Sequence, residues 1–165
     1  MQDTVNVKGL SELAKFLDEL APKLQKNIMR QALRAGMKPV QEDAKAHVAV
    51  ASGLLQKGLK ISTRIKGGTI TASLKATGKH AYLARWIEFG TAAHRINPKK
   101  AKALSIGGGF AEGVDHPGSK AHAFMRPALD ARAQDAVIAV AEYIKERLST
   151  KEGLDTSGVL IEGDA

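Results

Sequence analysis

Apolar residues recur at helical spacing near both ends of this chain and predict three helices. The first spans about residues 9–21, where leucines at positions 10, 13, 17 and 20 form one stripe. A longer helix runs from about residue 22 to residue 48; Pro39 predicts a kink in it, and two shorter helices are the alternative. The clearest helix spans residues 125–148 and has Pro127 in its first turn.

Alternating apolar and polar residues predict a β-hairpin between these helices. Residues 60–66 and 69–74 flank the pair Gly67-Gly68, which fits a two-residue turn with positive φ. Positions 61, 63 and 65 carry Ile or Thr, whereas positions 62, 64 and 66 carry Ser, Arg and Lys. We therefore expect one face of the hairpin to be buried and the other to be basic.

The rest of the chain predicts a short helix, a long loop and a tail. Residues 80–89 fit a helix that holds Trp86 against the core and ends at Gly90. The connection over residues 91–118 contains a glycine triplet at 107–109 and a candidate strand at 103–106. The acidic, non-periodic residues 150–165 predict a mobile tail or a segment that docks on a neighbour, beside a single domain over residues 1–149.

Composition narrows the class of protein without identifying it. The hydrophobic fraction of 44% is enough for a core, but aromatic residues make up only 4%, so that core is expected to consist mainly of Ala, Leu, Ile and Val. There is no cysteine, which excludes disulfides, thiolate zinc sites and a cysteine nucleophile. The first residues lack the pattern of a signal peptide and no apolar run is long enough to span a bilayer, so we expect no membrane partner.

Positive charge is concentrated in the middle of the chain. Residues 57–102 contain eleven Lys or Arg and a single acid, Glu88, while the chain as a whole carries +8. Such a segment is typical of contact with a polyanion or with an acidic protein face. A solvated sheet surface is the equally weighted alternative.

The residue types needed for catalysis or metal binding do not occur together. The five histidines lack the i, i+4 spacing of a helical metal site, and the glycine triplet lacks the Gly-Lys-Ser/Thr of a phosphate loop. Glu88, beside Arg85, has no second group to act with and predicts a structural ion pair or hydrogen bond, across a subunit boundary as one option. We expect no enzyme activity, no metal and no cofactor.

Two short motifs frame the long loop and carry a family resemblance. The first is Tyr82-Leu83-Ala84-Arg85-Trp86-Ile87-Glu88-Phe89-Gly90-Thr91, and the second contains Phe124-Met125-Arg126-Pro127-Ala128 at the start of the last helix. In this order, after two helices, a Ser52-Gly53 turn and a hairpin, they resemble the tail-component family of lambda-like tailed phages, called gene-product-ten-like. The resemblance extends from about residue 5 to residue 148.

The resemblance implies both a fold and a function. The fold is α+β, a small and mostly antiparallel sheet with a β-hairpin, packed by a long N-terminal helix and a C-terminal helix. The function is that of a structural virion protein of the phage neck, which forms a ring at the head-proximal end of the tail and takes part in tail completion and head–tail joining. Such a protein is assembled in the host cytoplasm and resides in the virion.

The implied partners are other virion proteins. They are copies of the same chain in a ring, with a hexamer favoured by the resemblance, then the tail tube protein and a head-closure or adaptor ring, with passive contact to genomic DNA. The candidate interface or channel-facing residues are Arg64, Lys66, Arg95, Lys99, Lys100 and Lys102. The residues expected to fix the base of the loop and its return to the core are Trp86, Glu88, Phe89, Gly90, Thr91, Phe124, Met125, Arg126 and Pro127.

A small basic protein that binds DNA without sequence preference is the alternative function. The basic hairpin and loop fit a phosphate backbone, but stacking aromatics are missing there apart from those of the first motif. Its affinity for DNA would fall steeply with salt, and it would bind as a monomer or dimer rather than as a ring.

Overall fold

The computed structural model describes residues 7–99 and 102–161 and has a mixed α+β architecture. The described elements are α1 (Leu10–Asp18), α2 (Pro22–His47), α3 (Leu54–Gly58), β1 (Leu59–Lys66), β2 (Thr69–Ala76), α4 (Ala81–Phe89), β3 (His94–Ile96), β4 (Leu104–Ile106), β5 (Gly109–Ala111), β6 (Val114–His116), α5 (Met125–Ala131) and α6 (Ala133–Glu152). The strands form three antiparallel pairs, β1–β2, β3–β6 and β4–β5. The predicted α+β fold with a hairpin and two long packing helices is confirmed.

Helix α2 contributes to both core clusters of the described residues. It is a single helix with Pro22 in its first turn and Pro39 inside it, so the alternative of two shorter helices is wrong. Its N-terminal half, with Ile28 and Ala32, contributes to a core cluster shared with α1 and α6. Its C-terminal half, with Val40 and Ala44, contributes to a second cluster shared with the β1–β2 hairpin, α4 and α5.

A glycine lets α2 and α6 approach closely between the two clusters. A Cβ atom on Gly36 would lie 2.5 Å from Cγ2 of Val140 and 2.6 Å from the carbonyl oxygen of Ala136. Such distances are shorter than any real Cβ contact, so the helices can cross here only because Gly36 has no side chain.

The β1–β2 hairpin forms as the sequence predicts. Gly67 and Gly68 have φ values of 55° and 83°, which suit a tight two-residue turn, and Lys66 pairs with Thr69 across it. Leu59 is fully buried, and Leu74 packs against the second core cluster. The face expected to be buried is buried at Leu59 and half-buried at positions 61 and 63, but Ile65, expected on the same face, is 45% exposed.

The C-terminal helical region differs from the single helix expected over residues 125–148. It consists of α5 and α6, which are separated at Arg132, whose φ of −112° and ψ of 14° are not helical. The guanidinium of Arg132 bonds Asp43 of α2 at 3.2 Å and Asp135 at 3.0 Å. Leu129, on α5, is 49% exposed.

Residues 154–161, which the sequence assigns to an acidic tail, pack against the body of the chain. Val159 is buried in the first core cluster, and Thr156 is buried and donates a hydrogen bond to the carbonyl of Lys145. The ammonium of Lys145 in turn donates to the carbonyl of Val159 at 2.6 Å. This segment therefore closes one end of the fold.

Candidate functional site: a capped junction and the arm it supports

The side chain of Glu88 joins the two sequence motifs. It lies on the core-facing side of α4, is 3% exposed, and points at the first residues of α5. Its carboxylate accepts hydrogen bonds from the backbone N–H groups of Phe124 at 2.8 Å, Met125 at 2.9 Å and Arg126 at 3.2 Å. These are donors that a helix leaves without an intrahelical partner, so Glu88 caps α5 from a distant part of the chain.

Arg126 completes the junction on its solvent side. Its Nε donates to Oε1 of Glu88 at 3.2 Å, and its Cζ lies 5.0 Å from the ring centroid of Phe89. The guanidinium thus neutralises the buried carboxylate and covers an aromatic ring. Within the described chain, the ion-pair partner of Glu88 is Arg126 rather than Arg85, which lies three positions earlier on α4.

The protonation state of Glu88 follows from these contacts. Burial acts to raise the pKa of the Glu88 carboxyl, but the hydrogen bonds from Met125, Phe124 and Arg126 outweigh it, so the pKa lies below its ordinary value. Glu88 is therefore ionised at neutral pH, as a carboxylate that accepts hydrogen bonds from a helix N-terminus should be.

A backbone bridge lies directly beyond this cap. The N–H and C=O groups of Thr91 and Ser119 exchange hydrogen bonds of 2.9 and 3.1 Å, and their hydroxyl oxygens lie 3.1 Å apart. Gly90 has a φ of 70° and a ψ of −175°, and a Cβ there would lie 2.5 Å from the carbonyl oxygen of Ser119. Gly118, with a φ of 86°, lies even closer to the backbone of Thr91 and Ala92. The two chain segments can cross here only because both residues are glycine.

We call residues 91–99 and 102–119 the arm. The stretch expected to be a loop with one short strand contains four strands: β3 pairs with β6, and β4 pairs with β5. The predicted strand at 103–106 is confirmed as β4. No residue of the four strands is buried. The arm is thus held at its base by the bridge and is otherwise largely surrounded by solvent.

The outward side of α4 carries an aromatic stripe that the sequence did not predict. Tyr82, Trp86 and Phe89 are 53%, 50% and 62% exposed, and the rings of Tyr82 and Trp86 meet edge to face at 5.0 Å. The prediction that Trp86 packs against the core is wrong, because the core side of α4 is occupied by Ala84 and Glu88. The i, i+4, i+7 spacing of the three aromatics was the available signal, since it places them on one face.

A groove separates this stripe from the base of the arm. It has a volume of about 770 Å³ and is lined by Trp86, Thr91, Ala92, Ala93, His94, Ile96, His116 and Ser119. We call it the Trp86 groove. Two of its lining residues, Trp86 and Ile96, are large exposed apolar side chains. The imidazole rings of His94 and His116 lie 5.2 Å apart at its wall.

The solvent face of the hairpin is basic, as its sequence pattern predicts. Across the register, Lys60 stands opposite Lys75, and Arg64 stands opposite Thr71. The remaining members of this face are Ser62, Lys66, Thr69 and Ser73. Within residues 7–99 and 102–161, none of its four cations is in an ion pair. We call these eight residues the basic face.

The candidate interface residues lie on two different elements. Arg64 and Lys66 belong to the basic face of β1, and both are exposed. Arg95 lies on β3 of the arm and pairs with Asp115 of β6 at 3.1 Å, so its charge is partly balanced. Lys99 and Lys102 are exposed in the arm, while Lys100 lies outside the described residues. The remaining predicted site residue, Pro127, is exposed in the first turn of α5.

Two other kinds of site, a metal-ion cluster and a membrane-spanning helix, are absent from the described residues. Residues 7–99 and 102–161 contain no group of three or more His, Cys, Asp or Glu side chains placed to hold a metal ion. In the same ranges, the helices are too short or too polar to cross a membrane.

Comparison with known proteins finds one family whose model matches part of the chain. Residues 11–90 match the model of the HK97-gp10-like family, which is described as "Bacteriophage HK97-gp10, putative tail-component". No match was found among curated proteins or among solved structures. The matched segment ends at Gly90, so it includes Glu88 but not the α5 residues that Glu88 caps.

The members of this family are structural components of the phage tail and are not enzymes. The match confirms, over residues 11–90, the resemblance drawn from the sequence: this part of the chain matches the HK97-gp10-like family of phage tail components.

Proposed function

We propose that this protein is a tail-completion component of the phage neck, which forms a closed ring at the head-proximal end of the tail tube and joins the tail to the head. The observation that carries the proposal is the capped junction. It fixes the largely exposed arm to the core through Glu88 and the Thr91–Ser119 bridge. An arm so anchored, with no buried residue in its strands, suits contact with another subunit.

Ring formation requires two different surfaces on one subunit. A contact between unlike patches, repeated with a rotation that closes, gives a ring; a contact between like patches stops at a dimer. The arm and the aromatic stripe of α4 are unlike surfaces, and both expose apolar side chains such as Phe110 and Trp86. A hexamer is the copy number that the family resemblance favours, and the tail tube protein and a head-closure or adaptor ring are its expected partners.

The test is to add the purified protein to isolated tail tubes that lack it and to image the tubes by negative-stain electron microscopy. The proposal predicts a ring-shaped density at one end of each tube and tubes that become competent to join DNA-filled heads. A basic protein of similar size serves as the control for non-specific adsorption. Binding along the whole tube, or no binding at either end, would overturn the proposal.

A second candidate function, binding of the DNA backbone, is favoured by the basic face. Lys60 and Lys75 stand directly opposite each other across the hairpin, an arrangement that costs stability because like charges repel. The four β1 positions of this face, 60 to 66, span about 20 Å at the rise of a β-strand. A row of cations and hydroxyls of this length fits a phosphate backbone, either as DNA passes through a ring or as the sole function of the chain.

The two functions differ in how DNA binding depends on assembly. A protein whose only role is DNA binding binds short duplex DNA as a monomer or dimer, with affinity that falls steeply with salt. A neck protein assembles on tubes in the absence of DNA. Gel shifts at two salt concentrations, together with the tube assay, separate these outcomes.

A further inference from the structure

The β4–β5 pair of the arm exposes an aromatic side chain. Phe110 lies on β5, beyond the glycine-containing turn that follows β4, and 84% of its side chain is exposed. It is the most exposed of the large hydrophobic residues in ranges 7–99 and 102–161. An exposed aromatic on a paired strand contributes little to folding, because it buries no area. Its position is typical of a residue that is buried by a partner.

The Trp86 groove offers a matching surface on the same chain. Its volume of about 770 Å³ exceeds that of one aromatic side chain, and its walls include the indole of Trp86 and the side chain of Ile96. Phe110 remains 84% exposed, so it does not fill the groove of its own chain. The chain therefore carries an apolar knob and an apolar groove that are not joined to each other.

The charges beside the two surfaces are of opposite sign. Glu112, two positions after Phe110, is exposed and is the acid nearest to it in sequence. Arg85, which precedes Trp86 on α4, and Lys120, which follows the groove residue Ser119, are both exposed. Within the part of the chain that the structure describes, none of these three charges is in an ion pair. Opposite charges flanking an apolar contact favour one orientation of the partner.

We propose that Phe110 of one copy of this chain seats in the Trp86 groove of the next copy, with Glu112 facing Arg85. This contact joins unlike patches and so continues from subunit to subunit until a ring closes. The inference rests on the proposed ring and names the surfaces that form it. The occupant is a second copy because the chain itself supplies a knob and flanking charges that complement the groove.

The first test uses the only tryptophan of the chain, which lies in the groove. Trp86 should emit as a half-exposed indole in dilute protein, and its emission should shift to the blue as copies assemble, either alone or on tail tubes. The variant Phe110→Ser should raise the concentration needed for assembly at least tenfold and remove the blue shift. The control is Leu160→Ser, which removes another exposed apolar side chain; Leu160 lies on the C-terminal segment and is 68% exposed. It should change neither the concentration needed for assembly nor the emission shift of Trp86. Assembly of Phe110→Ser at the wild-type concentration, with the wild-type shift, would overturn the contact.

The second test uses the absence of cysteine from the sequence. Two single variants, Phe110→Cys and Ala93→Cys, are mixed in the presence of tail tubes and oxidised; Ala93 is an exposed residue of the groove wall. A disulfide requires Cα atoms within about 7 Å, so a cross-link between the two variants reports direct contact. Ala46→Cys, an exposed position on α2, replaces Ala93→Cys as the control and should give much less cross-linked dimer.

The results separate this contact from the proposed function. A 110–93 cross-link in excess of the control supports the contact. A ring that assembles without that cross-link overturns the contact and leaves the ring function standing. A chain that assembles neither alone nor on tubes overturns both.

Discussion

The carboxylate of Glu88 accepts a hydrogen bond from the backbone N–H of Phe124, which lies thirty-six positions further along the chain, at a distance of 2.8 Å. Phe124 itself is 1% exposed and belongs to the second core cluster. This single link ties α4 to the start of α5 and so joins the two motifs that bracket the arm. The geometry of the arm base therefore depends on a buried charge rather than on apolar packing alone.

Replacement of Glu88 should destabilise the fold strongly. Glu88→Ala leaves the N–H groups of Phe124, Met125 and Arg126 without their acceptor, and we expect a loss of about 3 kcal/mol in the free energy of unfolding. Glu88→Gln keeps one acceptor oxygen but loses the charge, so about half of that loss is expected. Urea unfolding followed by circular dichroism measures both values.

The matched control for these variants is Glu142→Gln, which neutralises an exposed carboxylate on α6. Its effect should stay within about 0.5 kcal/mol, as is usual for surface substitutions. If Glu88→Gln and Glu142→Gln lower the free energy of unfolding by the same amount, the charge of Glu88 does not stabilise the start of α5.

The pH dependence of stability should contain a contribution from Glu88. Because the pKa of the folded form is lowered, the unfolded chain binds more protons than the folded chain over the pH range between the two pKa values. The stabilisation is fully present above the unfolded pKa of about 4.3 and is lost as pH falls through the folded pKa. The difference in unfolding free energy between wild type and Glu88→Gln should therefore shrink below about pH 4.3. A difference that stays constant from pH 7 to pH 3 would contradict this assignment.

Gly90→Ala should loosen the arm without unfolding the core. A Cβ at this position meets the carbonyl oxygen of Ser119 at 2.5 Å, and the backbone conformation is one that residues other than glycine rarely adopt. Hydrogen exchange of the Thr91 and Ser119 amides should accelerate, while exchange in α2 changes little. Gly109→Ala is the control within the arm, because a Cβ there would lie 3.8 Å from the carbonyl oxygen of Ile106, an ordinary contact distance. If the amides of Thr91 and Ser119 exchange at the same rates in Gly90→Ala as in Gly109→Ala, the bridge does not require Gly90.

Neutralising the basic face should weaken binding to duplex DNA. The double variant Arg64→Gln/Lys66→Gln removes two of its four cations, and the slope of log affinity against log salt should fall by about 1.8. The control is Lys23→Gln/Lys26→Gln, which removes two exposed charges from α2 and leaves the hairpin intact. Fluorescence anisotropy measures the salt dependence of both double variants. If the slope of log affinity against log salt is the same for both, the cations of the hairpin contribute no more to DNA binding than those of α2.

Local patterns allowed most of the elements to be predicted from the sequence. The leucine stripe of α1, the Gly67-Gly68 turn and the Pro22 start of α2 are each determined by residues close in the chain. Such features depend on backbone preferences and on periodic burial, both of which a sequence shows directly.

Contacts between distant residues were not predictable in the same way. Gly36 interrupts the helical pattern of α2, but its role in letting α6 approach depends on Ala136 and Val140, a hundred or more positions away. At the break between α5 and α6, Arg132 pairs with Asp43 of α2, a partner that lies 89 positions earlier in the chain. Trp86 was assigned to the core because it is large and aromatic, although its position relative to Tyr82 and Phe89 placed it on the opposite face of α4 from Glu88.

The most direct test of the account is the native mass of the purified protein, measured by analytical ultracentrifugation alone and then by native mass spectrometry after release from isolated tail tubes. We predict a closed ring in at least one of these states, with a mass that is a whole multiple of 17.5 kDa and gives the copy number. A chain that stays a 17.5 kDa monomer in both states would contradict the neck function and would favour the DNA-binding alternative.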